Sequence, residues 1–280
     1  MVVFKFGGAS VKDADGFRNV ADIIRNHQGE DSLVVVVSAT GKTTNALEEV
    51  IDKKFTNTSD ALKELEKIRI SHQRIISSLG LDHEVTLQQI VHEHFVEAEW
   101  IIEETREMNY DYAYDQVIAI GELVSSRILE ATLKNSGINT SWVDARSLIR
   151  TDETWREGRV QWNITNDQIR DICLPLLTQQ KVIVTQGFIG STAENNTVTL
   201  GREGSDYTAA IISAALNARS MTIWKDVPGV LTGDPKVFDN VTKLDRLSFM
   251  EAIEMTYYGA KVIHPKTIQP LKNKNIPLNV

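Results

Sequence analysis

Arg202 and Asp206 stand four residues apart in Gly201-Arg202-Glu203-Gly204-Ser205-Asp206-Tyr207-Thr208, just before an apolar stretch of helical character. A guanidinium can grip a carboxylate through two parallel N–H bonds, and an aspartate can accept from an ammonium or help hold a metal. Together they suit an α-amino acid. An Arg–Asp capping pair is the plain structural alternative, but the two glycines favour close approach of a ligand. Near the other end of the chain, Lys5-Phe6-Gly7-Gly8-Ala9-Ser10 places a lysine beside glycines whose backbone N–H groups can come close to a phosphate. Taken alone, that segment reads better as a tight turn with a solvated lysine.

Four further segments carry candidate groups. Ser38-Ala39-Thr40-Gly41-Lys42-Thr43-Thr44-Asn45 contains Gly-Lys-Thr, yet a P-loop needs a glycine five positions before Gly41, where Val36 stands inside an apolar run. It reads instead as a hydroxyl-rich loop at a strand's carboxyl end, or as an N-cap cluster. Gly121-Glu122-Leu123 reads as the opening of a helix, where a carboxylate is favoured by the macrodipole, so capping and ligand binding stand about even for Glu122. The polar stretch from Trp224-Lys225-Asp226 through Leu231 to Asp234-Pro235-Lys236 suits nucleotide phosphates by its length and basic residues, or is a plain Pro/Gly/Asp turn. Lys261, in Tyr258-Gly259-Ala260-Lys261, adds a lysine beside a glycine, with a surface lysine as the alternative. His92, Glu93 and His94 lack the spacing of the paired-histidine metal motif, and Gly201 and Gly204 do not form the G-x-G-x-x-G of a dinucleotide site.

Positioning these groups requires strands that end at the glycines. Val2–Phe6 is an apolar run stopping at Gly7, followed by Phe17, Val20, Ala21 and Ile24 on one helical face. Leu33–Val37 is apolar throughout and β-branched from Val34 on, and it reads as a buried parallel strand. Residues 59–108 form a helical excursion interrupted at Gly80. Strand-like and helical stretches then alternate: strands over 140–143, 181–185 and 221–224, helices from Asn166 and over 205–216, and the opening of another strand over 275–280. Such alternation predicts an α/β fold with a mainly parallel central sheet. The 280 residues are 42% hydrophobic and 24% charged, as in ordinary folded proteins. A net charge of −8 offers no footprint for nucleic acid or an anionic membrane, and no apolar run is long enough to span a bilayer. Cys173 is the single cysteine, which excludes an intrachain disulfide and reads as a small core residue. A cytoplasmic location is expected.

In this order, KFGGAS, SATGKTTN, GELVS, GREGSDYTA, WKDVPGVLTGDPK and YGAKVIHP resemble the amino acid kinase superfamily, and within it most closely the aspartate kinases. The resemblance runs over nearly the whole chain. It implies a three-layer αβα sandwich, with about 1–195 binding aspartate and about 196–280 binding the nucleotide. It implies phosphorylation of the side-chain carboxylate of L-aspartate by ATP with magnesium, the first step toward lysine, threonine and methionine. Lys5, Gly7, Gly8 and Lys261 would act on the transferring phosphoryl group. Ser38, Thr44, Glu122, Arg202 and Asp206 would surround aspartate. Lys225, Asp226, Leu231, Asp234 and Lys236 would contact the nucleotide, joined by Lys5, Gly8 and Lys261. Ala9, Lys225, Leu231 and Lys236 depart from the commonest family pattern, which leaves adenine stacking and phosphate contact open, since leucine has no aromatic face. Aspartate kinases usually continue into ACT domains that mediate assembly and inhibition, so an excised catalytic domain is expected, with any homo-oligomer built mainly through those domains. The alternatives are a noncatalytic amino-acid or nucleotide sensor on the same fold, or a kinase for glutamate or N-acetylglutamate.

Overall fold

The computed structural model describes residues 1–27, 31–105, 107–179, 182–227, 229–233, 237–238, 240–257 and 263–280. Its first half contains β1 (Val2–Phe6), α1 (Ala14–Asn26), β2 (Leu33–Val37), α2 (Thr43–Lys54), α3 (Thr58–Ser78), α4 (Val85–Glu103) and α5 (Tyr110–Asn135). After these come β3 (Thr140–Val143), α6 (Ala145–Leu148), α7 (Trp162–Gln179), β4 (Val182–Gln186), β5 (Ile189–Ser191) and β6 (Thr197–Thr199). The last elements are α8 (Gly204–Ala215), β7 (Met221–Trp224), α9 (Phe249–Tyr257), α10 (Pro265–Lys274) and β8 (Leu278–Asn279).

Six strands form one sheet in the order β3-β4-β2-β1-β7-β8, and every adjacent pair is parallel. β5 and β6 form a separate antiparallel pair. The alternation of side chains along each strand divides the core into two faces. Phe4, Phe6, Val35, Val37 and Val184 pack with α1 to α5, whereas Val3, Val34, Val36, Ile183 and Ile223 pack with residues of α7, α8 and α10. Helices thus cover both faces, giving the expected αβα sandwich with a parallel centre. Burial of Phe17, Val20, Ala21 and Ile24 places the predicted stripe of α1 on the core. Gly80, at φ +73°, separates α3 from α4 where the helical excursion was expected to break.

Several element boundaries differ from the sequence reading, and two helix starts do so by four residues or more. Gly121-Glu122 does not open a helix; it sits in the middle of α5, which begins at Tyr110 with Asn109 accepting from the Tyr112 amide at 3.1 Å. The capping role for Glu122 therefore falls away. α7 starts at Trp162, four residues before the predicted Asn166, because the exposed Trp162 and Ile164 at its head carry no apolar period to mark it.

Candidate active site

All strands of the main sheet run the same way, so the loops after β4, β2, β1 and β7 leave from one edge, the edge at which open α/β sheets bind ligands. The backbone stitches these loops together. Ser38 N donates to Phe6 O and Gly187 N to Val37 O, at 3.0 and 2.9 Å. Gly41 N donates to Gly8 O at 3.0 Å, and a Cβ on Gly8 would lie 2.7 Å from Gly41 O and 2.8 Å from Ala39 O. Gly8 is required by that contact between the first two loops. Gly7 differs: a Cβ there would meet only the Lys5 ammonium, at 3.4 Å. Its amide and the lysine therefore frame an open cradle of a kind that suits phosphate oxygens.

Lys5 is an odd residue of β1, and parity aims it toward α8 rather than toward the Phe4 and Phe6 side. There its Nζ lies 2.6 Å from Asp206 Oδ1 in the first turn of α8. Lys225, just past β7, approaches Asp206 Oδ2 at 3.9 Å. Asp206 thus stands between two ammonium groups in the first turn of α8. Its Oδ1 accepts no aligned hydrogen bond from a described residue, which leaves acceptor capacity at the site.

Glu122 is a buried carboxyl with no ionic partner among the described residues. It is 2% exposed, its Oε1 lies 3.4 Å from the Ala39 amide, and its Oε2 is buried with no described partner. Burial pushes its carboxyl up to about 8, only partly opposed by the Ala39 bond. Gly121 lets the second loop settle on α5, since a Cβ there would come within 3.0 Å of the Ala39 methyl and 3.2 Å of Thr43 Cγ2. From the same helix Ser125 Oγ donates to the Ser38 carbonyl at 2.7 Å. Within the loop, Thr43 Oγ1 donates to Thr40 O at 2.6 Å in a capping turn, while the buried Thr40 Oγ1 has no described partner. Thr44, in the first turn of α2, is half-buried.

Arg202 is exposed on the turn leading into α8. That turn enters the left-handed region twice: at Gly201, φ +74°, where a glycine does so freely, and at Glu203, φ +54°, where a non-glycine does so at a cost. Phe188, after β4, is also left-handed at φ +73° and donates its amide to Thr208 Oγ1 of α8 at 3.0 Å. A Cβ on Gly204 would come within 2.5 Å of the Phe188 ring, and one on Gly187 within 2.6 Å of Ser205 Oγ. Strained backbone of this kind persists where the surroundings fix it, commonly at functional sites. The segment Gln186-Gly187-Phe188 was not singled out from the sequence; two glycines flanking an aromatic after a β-branched run were the available signal.

The structure thus brings together Lys5, Gly7, Gly8, Ser38, Glu122, Asp206 and Lys225, with Thr44 and Arg202 on adjoining turns. Asp226 is exposed directly after Lys225. Leu231 is half-buried and forms an antiparallel bridge with Lys243, beyond β7. Lys261, Asp234 and Lys236 lie outside the described residues. No group of three or more His, Cys, Asp or Glu side chains among the described residues could hold a metal ion, and no described helix is long and apolar enough to cross a membrane.

A parallel αβα sandwich with a lysine–glycine cradle, a second lysine and unpaired carboxylate oxygens at one sheet edge has the parts of a small-molecule phosphotransferase. The chain belongs to the amino acid kinase family, whose model matches residues 1–280. It is 34% identical over 282 residues to lysine-sensitive aspartokinase 3 of Escherichia coli (strain K12), covering 100% of this chain and 61% of that protein. It is 35% identical over 284 residues to the chloroplastic bifunctional aspartokinase/homoserine dehydrogenase 2 of Arabidopsis thaliana, covering 99% of this chain and 30% of that protein. The crystal structure of E. coli aspartokinase III in complex with aspartate and ADP superimposes with a TM-score of 0.90 at 32% identity, over 99% of this chain and 61% of that one. The chain therefore spans between 30% and 61% of the length of these relatives.

Proposed function

We propose that the protein transfers the γ-phosphoryl group of ATP to the side-chain carboxylate of L-aspartate. The observation that carries this reading is Glu122: a buried carboxylate with an unpartnered oxygen, set at the same sheet edge as the Lys5–Asp206 pair, calls for a cationic group from a ligand. The α-ammonium of an amino acid supplies it, and the aspartate complex of the E. coli relative supports the same acceptor.

In this reading Glu122 accepts from the ammonium, Arg202 grips the α-carboxylate, and Ser38, Thr44 and Asp206 complete the aspartate pocket. The acceptor carboxylate is an anion at neutral pH and needs no general base. One of its oxygens attacks the γ-phosphorus while the bond to the bridging β,γ-oxygen breaks, and ADP leaves with that electron pair. The barrier lies in bringing two anions together in line, so catalysis rests on positioning and charge. Lys5 and the Gly7 and Gly8 amides hold the transferring group, with Lys261 assigned the same task. Lys225, Asp226, Leu231, Asp234 and Lys236 contact the nucleotide. Residues of about 1–195 then serve mostly aspartate and those of about 196–280 mostly ATP, in the cytoplasm. Magnesium would enter on the nucleotide's phosphates, as this ion usually does, and neutralise their charge.

The test is ADP formation with L-aspartate, L-glutamate and N-acetyl-L-glutamate as acceptors. Aspartate-dependent turnover is expected. Turnover with N-acetyl-L-glutamate alone would contradict the ammonium assigned to Glu122, and ATP binding without acceptor-dependent turnover would favour a sensor.

A further inference from the structure

Asp115 is wholly buried, and its carboxylate is spent on two segments remote in sequence. Oδ1 accepts from Thr199 Oγ1 at 2.7 Å, and Oδ2 accepts from the Arg156 amide at 2.8 Å. Its neighbour Gln116 clamps the same strand: Nε2 donates to Thr197 O at 2.8 Å and Oε1 accepts from Thr197 N at 3.2 Å. Gly158 N closes the set by donating to Thr199 O at 2.9 Å. One turn of α5 is therefore bonded to β6 and to the turn at residues 156–158.

Both tied segments border Arg202. Two residues past Thr199 the chain reaches Gly201, where a Cβ would lie 2.9 Å from Glu157 Cγ and 3.3 Å from Arg156 O. Arg202 follows directly. Arg202 has no hydrogen bond or ion pair with a described residue, so the backbone beneath it sets its place. Further along α5, seven residues or roughly two helical turns from Asp115, stands Glu122. A single rigid helix thus carries one recognition group and anchors the loop that carries the other.

We propose that Asp115 is a positioning residue: through Thr199 and the Arg156 amide it holds the Gly201-Arg202 turn in register with Glu122, so that the two groups meet one amino acid together. A buried charged acceptor suits this task, because charge-assisted hydrogen bonds are the strong ones and an unsatisfied partner here is costly. Its carboxyl, pushed up to about 6 by burial despite these bonds, carries the cost of that placement. The inference rests on the aspartate kinase reading for its kinetic consequence but not for its structural one.

The experiment therefore has two arms, on Asp115→Asn, Thr199→Val and Thr199→Ser, each shown by thermal unfolding to be folded. In the first, backbone hydrogen exchange over residues 199–204 of the free protein should quicken at least about tenfold in the first two variants and stay at the wild-type rate in Thr199→Ser, which keeps the hydroxyl. In the second, KM for aspartate should rise about 10- to 100-fold, the penalty expected of a misplaced binding group, with KM for ATP within about twofold of wild type. Unchanged exchange and unchanged KM for aspartate in folded Asp115→Asn and Thr199→Val would overturn the proposal. A wild type without aspartate-dependent turnover would refute the kinase reading alone, and the exchange arm would still decide the tether.

Discussion

Raising the pH from 6 to 8 should tighten aspartate binding about 50-fold, because the free protein holds Glu122 mostly protonated. With its carboxyl at about 8, roughly 1% is ionised at pH 6 and half at pH 8. An ammonium placed against Oε2 favours the ionised form, so aspartate selects the minor species and its apparent affinity scales with that fraction. At pH 7 about 0.9 proton should leave for each aspartate bound. Isothermal titration in two buffers of different ionisation enthalpy measures both quantities. Glu122→Gln should bind aspartate weakly and lose the pH dependence and the proton release. The same group shapes stability. Its folded value lies above the ordinary 4.5, so the folded state binds the proton more tightly than the unfolded chain. Stability should then be free of this penalty below about pH 4.5 and fall as pH rises toward 8, by up to about 1.4 kcal/mol per pH unit. Asp115, at about 6, contributes to the lower part of that window, whereas Glu122→Gln should flatten the part between 6 and 8. Aspartate affinity independent of pH between 6 and 8, with no proton released, would refute the assignment of Glu122 to the ammonium.

Lys5→Ala should lower turnover at least about 100-fold, as loss of a transition-state donor does, and turnover near wild type in the acceptor assay would remove Lys5 from catalysis. Arg202→Lys keeps the charge but loses the fork, so KM for aspartate should rise about tenfold or more with kcat little changed; an unaltered aspartate titration would contradict that role. Gly8→Ala forces a methyl against two carbonyl oxygens at 2.7 and 2.8 Å. It should cost about 1–3 kcal/mol of stability, seen as a lowered Tm, whereas Gly7→Ala, meeting only the Lys5 ammonium, should fold like wild type and lose activity.

The strands that build the site were legible because fully buried parallel strands are written as short, mainly apolar runs rich in valine that end at glycines or hydroxyls, as at Phe6-Gly7 and Val37-Ser38. The pairing of Lys5 with Asp206, two hundred residues apart, was legible only as two candidates, since nothing local says that β1 and α8 meet. The start of α5 was missed because Tyr110, Tyr112 and Asp115 carry little helix propensity, which masks the buried stripe that Ala113 and Tyr114 already begin. β5 and β6, three residues each, are too short for a period to show. Gly187 and Phe188 act through backbone conformation and close packing rather than through a charged group, so a search for chemistry passes over them. Asp115 lay in the motif-free approach to Gly121-Glu122, and its worth appears only when Thr199 folds back onto it.

Trapping the product with hydroxylamine tests the central claim most directly. Incubated with ATP, magnesium and L-aspartate, the protein should yield aspartyl β-hydroxamate in step with ADP, identified by mass. ADP formed without hydroxamate, or hydroxamate on an acceptor lacking a free α-ammonium, would contradict phosphoryl transfer to the aspartate side chain.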